Sequence, residues 1–282
     1  MKSSEKLILR YLRTKFKVLS TISEKKAARE AYKLFCTPLA TPGKPPSFIF
    51  DTAEFLNLDL NNNILKGYRW NSPSEKKILL LHGFSSSAKN FHHFVTPLIQ
   101  KGYEVMAFDA PAHGISEGTT VNGVDYADMI KKIIELFGPV KNFIAHSFGG
   151  LAVCLALEEI EHDENTKLVL IAPATETTSA VDHAFRLLHI KNNGVRKEFN
   201  KIIYSINGKP PEWYSVKRAL KNIQAKITWI HDKEDDITPF EDVEYAMKEK
   251  FKNVEFQITR GLGHSKIYRD PQIVGLVIDF FK

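Results

Sequence analysis

Three residues far apart in the chain could share one piece of chemistry: Ser147, Asp235 and His264. A serine hydroxyl is a weak nucleophile until a base takes its proton. A histidine can be that base, and a carboxylate can orient the imidazole and stabilise its cation. Ser147 lies in Ala145-His146-Ser147-Phe148-Gly149-Gly150. The apolar run Asn142-Phe143-Ile144-Ala145 before it reads as a buried strand, and Leu151 to Ile160 after it reads as a helix. The serine then sits on a sharp strand-to-helix turn, which lifts its hydroxyl clear of the sheet and leaves backbone N–H groups free at a helix start. Short small-Ser-small strings also arise by chance, so the weight rests on partners.

Four acids compete in His231-Asp232-Lys233-Glu234-Asp235-Asp236-Ile237-Thr238-Pro239, which follows a strand. Asp235 is the choice, with Asp236 second, because its spacing to Pro239 resembles the pattern that ends this strand in related sequences; Asp232 and Glu234 read as members of a solvated acidic loop. In Gly261-Leu262-Gly263-His264, glycines on either side of Leu262 let the loop bring a histidine inward before the last helix. Leu80-Leu81-His82-Gly83-Phe84 ends another strand, and the N–H groups of Phe84 and Phe148 are the candidate donors to a developing oxyanion. His82 reads as a structural hydrogen-bonding residue. Asp109-Ala110-Pro111-Ala112-His113-Gly114-Ile115-Ser116 reads as a bracing turn, since no third or fourth ligand with suitable spacing joins Asp109 and His113 in a metal site.

Elements of two kinds must position these groups. Phe48 to Trp70 reads as antiparallel strands turning at Asn61-Asn62-Asn63. After Ser72-Pro73 the rhythm becomes strand–helix. Strands are expected at Ile78–Leu81, Val105–Phe108, Asn142–Ala145, Lys167–Ile171, Ile227–Ile230 and Val254–Ile258. Helices are expected near Phe91–Gln100, Val124–Phe137, Phe240–Phe251 and Pro271–Phe281. Short apolar strands alternating with helices predict a mostly parallel sheet covered on both faces, with functional groups at the strands' carboxyl ends.

The interval 174–222 breaks that rhythm, with expected helices at Ser179–His189 and Val195–Ser205. An insertion of this size between two strands predicts a helical lid. Its apolar residues predict substrate contacts from Phe185, Leu188 and Trp213, set against the alternative that they only fill the lid's own small core. The expected domains are thus a helical extension and linker over 1–47, a core over 48–173 and 223–282, and the lid.

The ordered set Ser147, Asp235, His264, with the His82-Gly83-Phe84 loop and the Asp109–Ser116 turn, resembles the α/β-hydrolase superfamily over roughly residues 50–282. Ala145 and Ala112 stand where the family commonly has glycine. The resemblance implies an α/β fold with eight strands and a lid after the sixth. It implies Ser147 as nucleophile, His264 as general base, Asp235 as its orienter and Phe84 and Phe148 as oxyanion donors, with no metal or organic cofactor. The expected substrate is a small-molecule carboxylic ester with an acyl or aromatic group. Thioester or C–C bond hydrolysis, and a ligand-binding role without turnover, remain alternatives.

Composition is that of an ordinary globule, 43% hydrophobic and 26% charged. No apolar run approaches the ~20 residues of a membrane span. Cys36 and Cys154 suggest neither a metal site nor a disulfide framework and fit a reducing cytoplasm. Residues 1–50 hold eleven Lys/Arg and three Glu, so the basic excess is local and a protein-wide nucleic-acid surface is not expected. Ile8, Leu12, Phe16 and Leu19 recur at helical spacing with Lys6, Arg10, Arg13 and Lys17 between them. This segment is either a helix packed on the main domain or a basic helix lying on an anionic membrane surface through residues 1–20. A second helix is expected from an N-cap at Ser23 to Phe35, and a linker over Thr37–Ser47.

Overall fold

A change of period at Ser72 separates a hairpin from the alternating strands and helices that follow. The computed structural model describes residues 3–39 and 47–282, with side chains from Lys6 onward. Positions 40–46 of the expected linker lie outside the described residues. In chain order the elements begin with α1 (Ser3–Ile22), α2 (Glu24–Phe35), β1 (Glu54–Leu60), β2 (Asn63–Trp70) and β3 (Lys77–Leu81). Then come α3 (His92–Gln100), β4 (Glu104–Phe108), α4 (Gly123–Phe137), β5 (Asn142–His146), α5 (Phe148–Leu157) and β6 (Lys167–Ile171). Next are α6 (Thr177–Leu188), α7 (Asn193–Asn207), α8 (Val216–Ala219) and β7 (Lys226–Asp232). The chain ends with α9 (Phe240–Lys248), β8 (Val254–Thr259), α10 (Gly263–Lys266) and α11 (Pro271–Phe280). Residues 48–52, expected to be strand, instead form a short 3-10 helix before β1.

The described residues divide into two compact units, one of residues 3–37 and 176–214, the other of the remainder. The larger unit holds one eight-stranded sheet in the order β1-β2-β4-β3-β5-β6-β7-β8. β1 pairs with β2 and β2 with β4 antiparallel, and every other pairing is parallel. The parallel strands read as continuous apolar runs because both faces are covered: Ile78, Leu79, Leu80 and Leu81 are all buried, as are Leu168 to Ile171. On one face Ile78, Leu80, Ile144, Val169 and Ile230 pack with Phe91, Phe94, Val277 and Phe281. α4 starts at a capping box, in which Asn122 accepts from the Val124 and Asp125 N–H groups while Asp125 accepts from the Asn122 N–H.

The smaller unit is all helical. Phe199 of α7 is its hub, edge-on to Tyr32 and Phe35 of α2 at 5.6 and 5.8 Å between ring centroids and to Phe185 of α6 at 5.2 Å. Ala27, Ala28 and Ala31 line the buried face of α2, small enough to let α7 approach. Ser23 caps α2 by accepting from the Lys26 N–H, as its position before the helix predicts. α1 packs on α2 and α6 and buries Phe16, while Arg13 donates to the Leu187 carbonyl at the end of α6. Ile8, which shares the helical spacing of Leu12, Phe16 and Leu19, is 59% exposed.

The interval 174–222 therefore divides between the units. Residues 176–214 join the N-terminal helices, whereas α8 belongs to the sheet unit. There Val216 and Ala219 are buried, and Arg218 holds Glu158, the residue that follows α5, through a bidentate ion pair. Among the described residues no helix is long and apolar enough to cross a membrane.

Candidate active site

The turn after β5 is built for close approach. Ser147 has φ +53° and ψ −118°, a strained conformation that turns the chain directly from strand into α5. The turn works only with small neighbours. A Cβ on Gly149 would lie 2.6 Å from the Leu81 carbonyl oxygen, and one on Gly83 would lie 2.9 Å from Ser147 Cβ. The loop after β3 thus runs directly against the serine. Ala145 is accommodated inside the sheet between Leu81 and Leu170, fully buried.

The structure brings Ser147, His264 and Asp235 into one hydrogen-bonded chain. His264 Nε2 lies 3.0 Å from Ser147 Oγ, and His264 Nδ1 lies 2.8 Å from Asp235 Oδ2. The Asp235 carboxylate also accepts from the Ile237 N–H at 2.9 Å, the Thr238 N–H at 2.8 Å and the Thr238 hydroxyl at 2.8 Å. Burial pulls its pKa up, but the hydrogen bond and charge of His264 and the loop N–H groups outweigh this and bring it down to about 2. An ionised Asp235 can only accept, so His264 Nδ1 carries the proton toward it and Nε2 is left to accept from the Ser147 hydroxyl. Asp236, the second candidate, is exposed.

The Phe84 loop is held from several sides. His82 Nδ1–H donates to the Gly83 carbonyl at 2.8 Å and its Nε2 accepts from the Ala110 N–H at 2.9 Å. His113 Nε2 accepts from the Ser85 N–H at 2.9 Å, and Asp109 accepts from the N–H groups of Ala88 and Ile115. The Tyr126 hydroxyl donates to the His82 carbonyl. The Phe84 and Phe148 rings meet edge-on at 5.7 Å. Among the described residues, neither the Phe84 nor the Phe148 N–H donates to a protein acceptor. His82 and the Asp109–Ser116 turn thus hold the loop in place, and no three metal-ligand side chains cluster among the described residues.

Three supporting residues escaped the sequence reading. His146, the middle residue of the turn motif, is buried, and its Nε2–H donates to the His264 carbonyl at 3.0 Å. Thr238 bridges Asp235 and His264, with its Oγ1 3.2 Å from His264 Nδ1. His231 Nε2–H donates to the Thr238 carbonyl at 2.9 Å. Asp232 corrects the expectation of a solvated side chain. It is buried, and it accepts from Thr259 Oγ1 at 2.7 Å, the Leu262 N–H at 3.0 Å and the Glu234 N–H at 2.9 Å. It ties the β7 loop to the loop that presents His264.

Of the other sequence candidates, Phe185 and Leu188 are 7% and 6% exposed and belong to the core of the helical unit. Trp213 is half-buried in that unit, edge-on to Tyr214 with the Lys209 ammonium over its ring.

A family profile described as serine aminopeptidase, S33, matches residues 72–211. A Mycoplasma pneumoniae protein assigned as an esterase/lipase is 22% identical over 69% of this chain and 84% of its own length. Among solved structures, an esterase of Pyrococcus furiosus superposes with a TM-score of 0.63 at 21% identity, covering 87% of this chain and 95% of that one. The thioesterase domain from the curacin biosynthetic pathway gives 0.58 at 16% identity, covering 82% and 99%. The strand order and these neighbours show that the chain has the α/β-hydrolase fold.

Proposed function

We propose that the protein is a serine hydrolase that cleaves a carboxylic ester through an acyl-enzyme. The observation that carries this reading is the continuous Ser147–His264–Asp235 hydrogen-bonded chain. As Ser147 Oγ attacks the ester carbonyl, His264 Nε2 takes its proton, and the Asp235 carboxylate stabilises the imidazolium. The carbonyl oxygen gains charge beside the Phe84 and Phe148 N–H groups, each such donor being worth ~10²–10³ in turnover. Collapse expels the alcohol, protonated by His264. A water then enters, gives its proton to the same imidazole and releases the acid.

A fluorophosphonate probe is expected to label the wild-type protein at one site and Ser147→Ala not at all. Retained labelling in that variant defeats the assignment. A panel of p-nitrophenyl esters and acyl thioesters of increasing chain length then separates ester from thioester preference. Single turnover with retained product on every member of the panel supports a ligand-binding role instead.

Gly149→Ala tests the turn itself. Its new Cβ meets the Leu81 and His82 carbonyl oxygens at 2.6 and 2.7 Å, both backbone atoms that cannot swing aside. Displacement of the serine by a fraction of an ångström is expected to slow probe labelling on the order of 100-fold. An unchanged labelling rate shows that the turn yields without moving Ser147.

A further inference from the structure

α1 has two apolar faces, and only one of them is used. Phe16 is buried and Leu9, Leu12 and Leu19 are half-buried, all on the side packed in the helical unit. On another side Leu7, Tyr11, Val18 and Ile22 fall within a narrow arc, with Ile8 at its edge. These five are 70%, 67%, 52%, 72% and 59% exposed. Lys6, Arg10 and Lys17 form an adjoining exposed basic stripe along the same helix. Scattered exposed apolar residues need no explanation, but apolar residues recurring on one side of a helix over about four turns do.

The charge of the chain points to the occupant. Residues 1–37 and 176–214, the span of the helical unit, carry 16 Lys/Arg against 7 Asp/Glu, a net +9. The rest of the chain carries 23 against 26, a net −3. A second copy of this unit would bring two strongly positive bodies together along α1. A nucleic acid would satisfy the charge and leave the apolar stripe in water. An anionic bilayer satisfies both: the apolar side chains enter the acyl boundary while the lysines and arginines reach lipid phosphates.

We propose that α1 is an interfacial helix that docks the protein on an anionic lipid surface through Leu7, Tyr11, Val18 and Ile22, with Lys6, Arg10 and Lys17 on the headgroups. The attachment is peripheral and does not depend on the chemistry of Ser147.

The test is co-sedimentation of the full chain with vesicles of phosphatidylcholine containing 30% phosphatidylglycerol, against pure phosphatidylcholine, at 0.1 M salt. Binding is expected only to the anionic vesicles and is expected to weaken as salt rises. The variant Leu7→Ser/Tyr11→Ser/Val18→Ser/Ile22→Ser is expected to lose at least about 10-fold in partition. Lys6→Glu/Arg10→Glu/Lys17→Glu is expected to lose about 100-fold or more. Both variants change exposed positions, and unaltered thermal unfolding and fluorophosphonate labelling verify that they fold. Equal binding to neutral vesicles overturns the proposal. So does tighter binding to duplex DNA or RNA than to the anionic vesicles. So does a dimer in light scattering that the serine variant dissolves while vesicle binding is unchanged.

Discussion

Ser147→Ala and His264→Ala are each expected to lower kcat on a p-nitrophenyl ester by about 10⁶-fold, and the double variant to be no slower than either. The reason is that the two side chains act as one unit. Without the imidazole at 3.0 Å the hydroxyl keeps its proton, and without the hydroxyl the imidazole has nothing to activate. Asp235→Asn is expected to cost about 10⁴-fold with little change in KM. An amide can turn its NH₂ toward His264 Nδ1, which makes that nitrogen an acceptor and moves the ring proton to Nε2. The base then faces the serine with its lone pair gone. Asp236→Asn, at an exposed position one residue on, is expected to leave kcat within about twofold, the small effect usual for a surface change. If the two asparagine variants lose activity equally, Asp235 is not the orienting acid. If Asp235→Asn keeps a tenth or more of the activity, the hydrogen-bonded chain is not what drives the reaction.

The order of Ser147, Asp235 and His264 along the chain was legible because each follows a strand end, and strand ends in a parallel sheet collect on one side. Asp235 could be chosen over its neighbours only because its spacing to Pro239 resembles that in related sequences. The supporting contacts were not legible, because each joins loops distant in sequence. Asp232 looked like one more acid in a polar loop, yet its partners Thr259 and Leu262 arrive from the end of β8 and the loop after it. His146 looked like a filler position in the serine turn, and its partner is the backbone of His264. The same limit applies to the helices. The sequence indicated helices at α1, α2, α6 and α7. It did not show that the face of α2 meets Phe199 of α7, which places the first helices and residues 176–214 in one unit. Ile8 shares the helical spacing of Leu12, Phe16 and Leu19, but it sits at the margin of that arc, and the packing of the unit leaves it in water.

The histidines that hold the Phe84 loop and the serine turn carry a second large expectation, for stability against pH. Burial is the main cause of their depressed pKa values: His82 and His113 fall to about 4, and His146 to about 3. The geometry agrees, because His82 Nε2 and His113 Nε2 each accept a backbone N–H and would have to release it on protonation. The two rings lie 5.0 Å apart, so a charge on His82 opposes one on His113. In the unfolded chain all three titrate near 6.5. As pH falls below about 6.5 the unfolded state takes up protons that the folded state refuses, so unfolding becomes easier. The slope approaches three protons, or about 4 kcal/mol per pH unit, until the folded rings themselves protonate near pH 4 and 3. Asp109, raised by burial, offsets part of the loss just above pH 3.8, whereas Asp235, depressed to about 2, adds to it below that pH. At pH 5 the three histidines together amount to roughly 6 kcal/mol, which is comparable to the whole stability of many domains. Urea unfolding followed by tryptophan fluorescence, in which Trp70 and Trp229 report from inside the sheet unit, is therefore expected to show a midpoint that collapses between pH 6.5 and 5. His113→Gln, which cannot protonate, is expected to start less stable at pH 7.5 and to lose stability with about two-thirds of the wild-type slope. A flat midpoint from pH 7.5 to 5 means that the folded protein accommodates charged rings at these sites, and the neutral bracing of the Phe84 loop is then wrong.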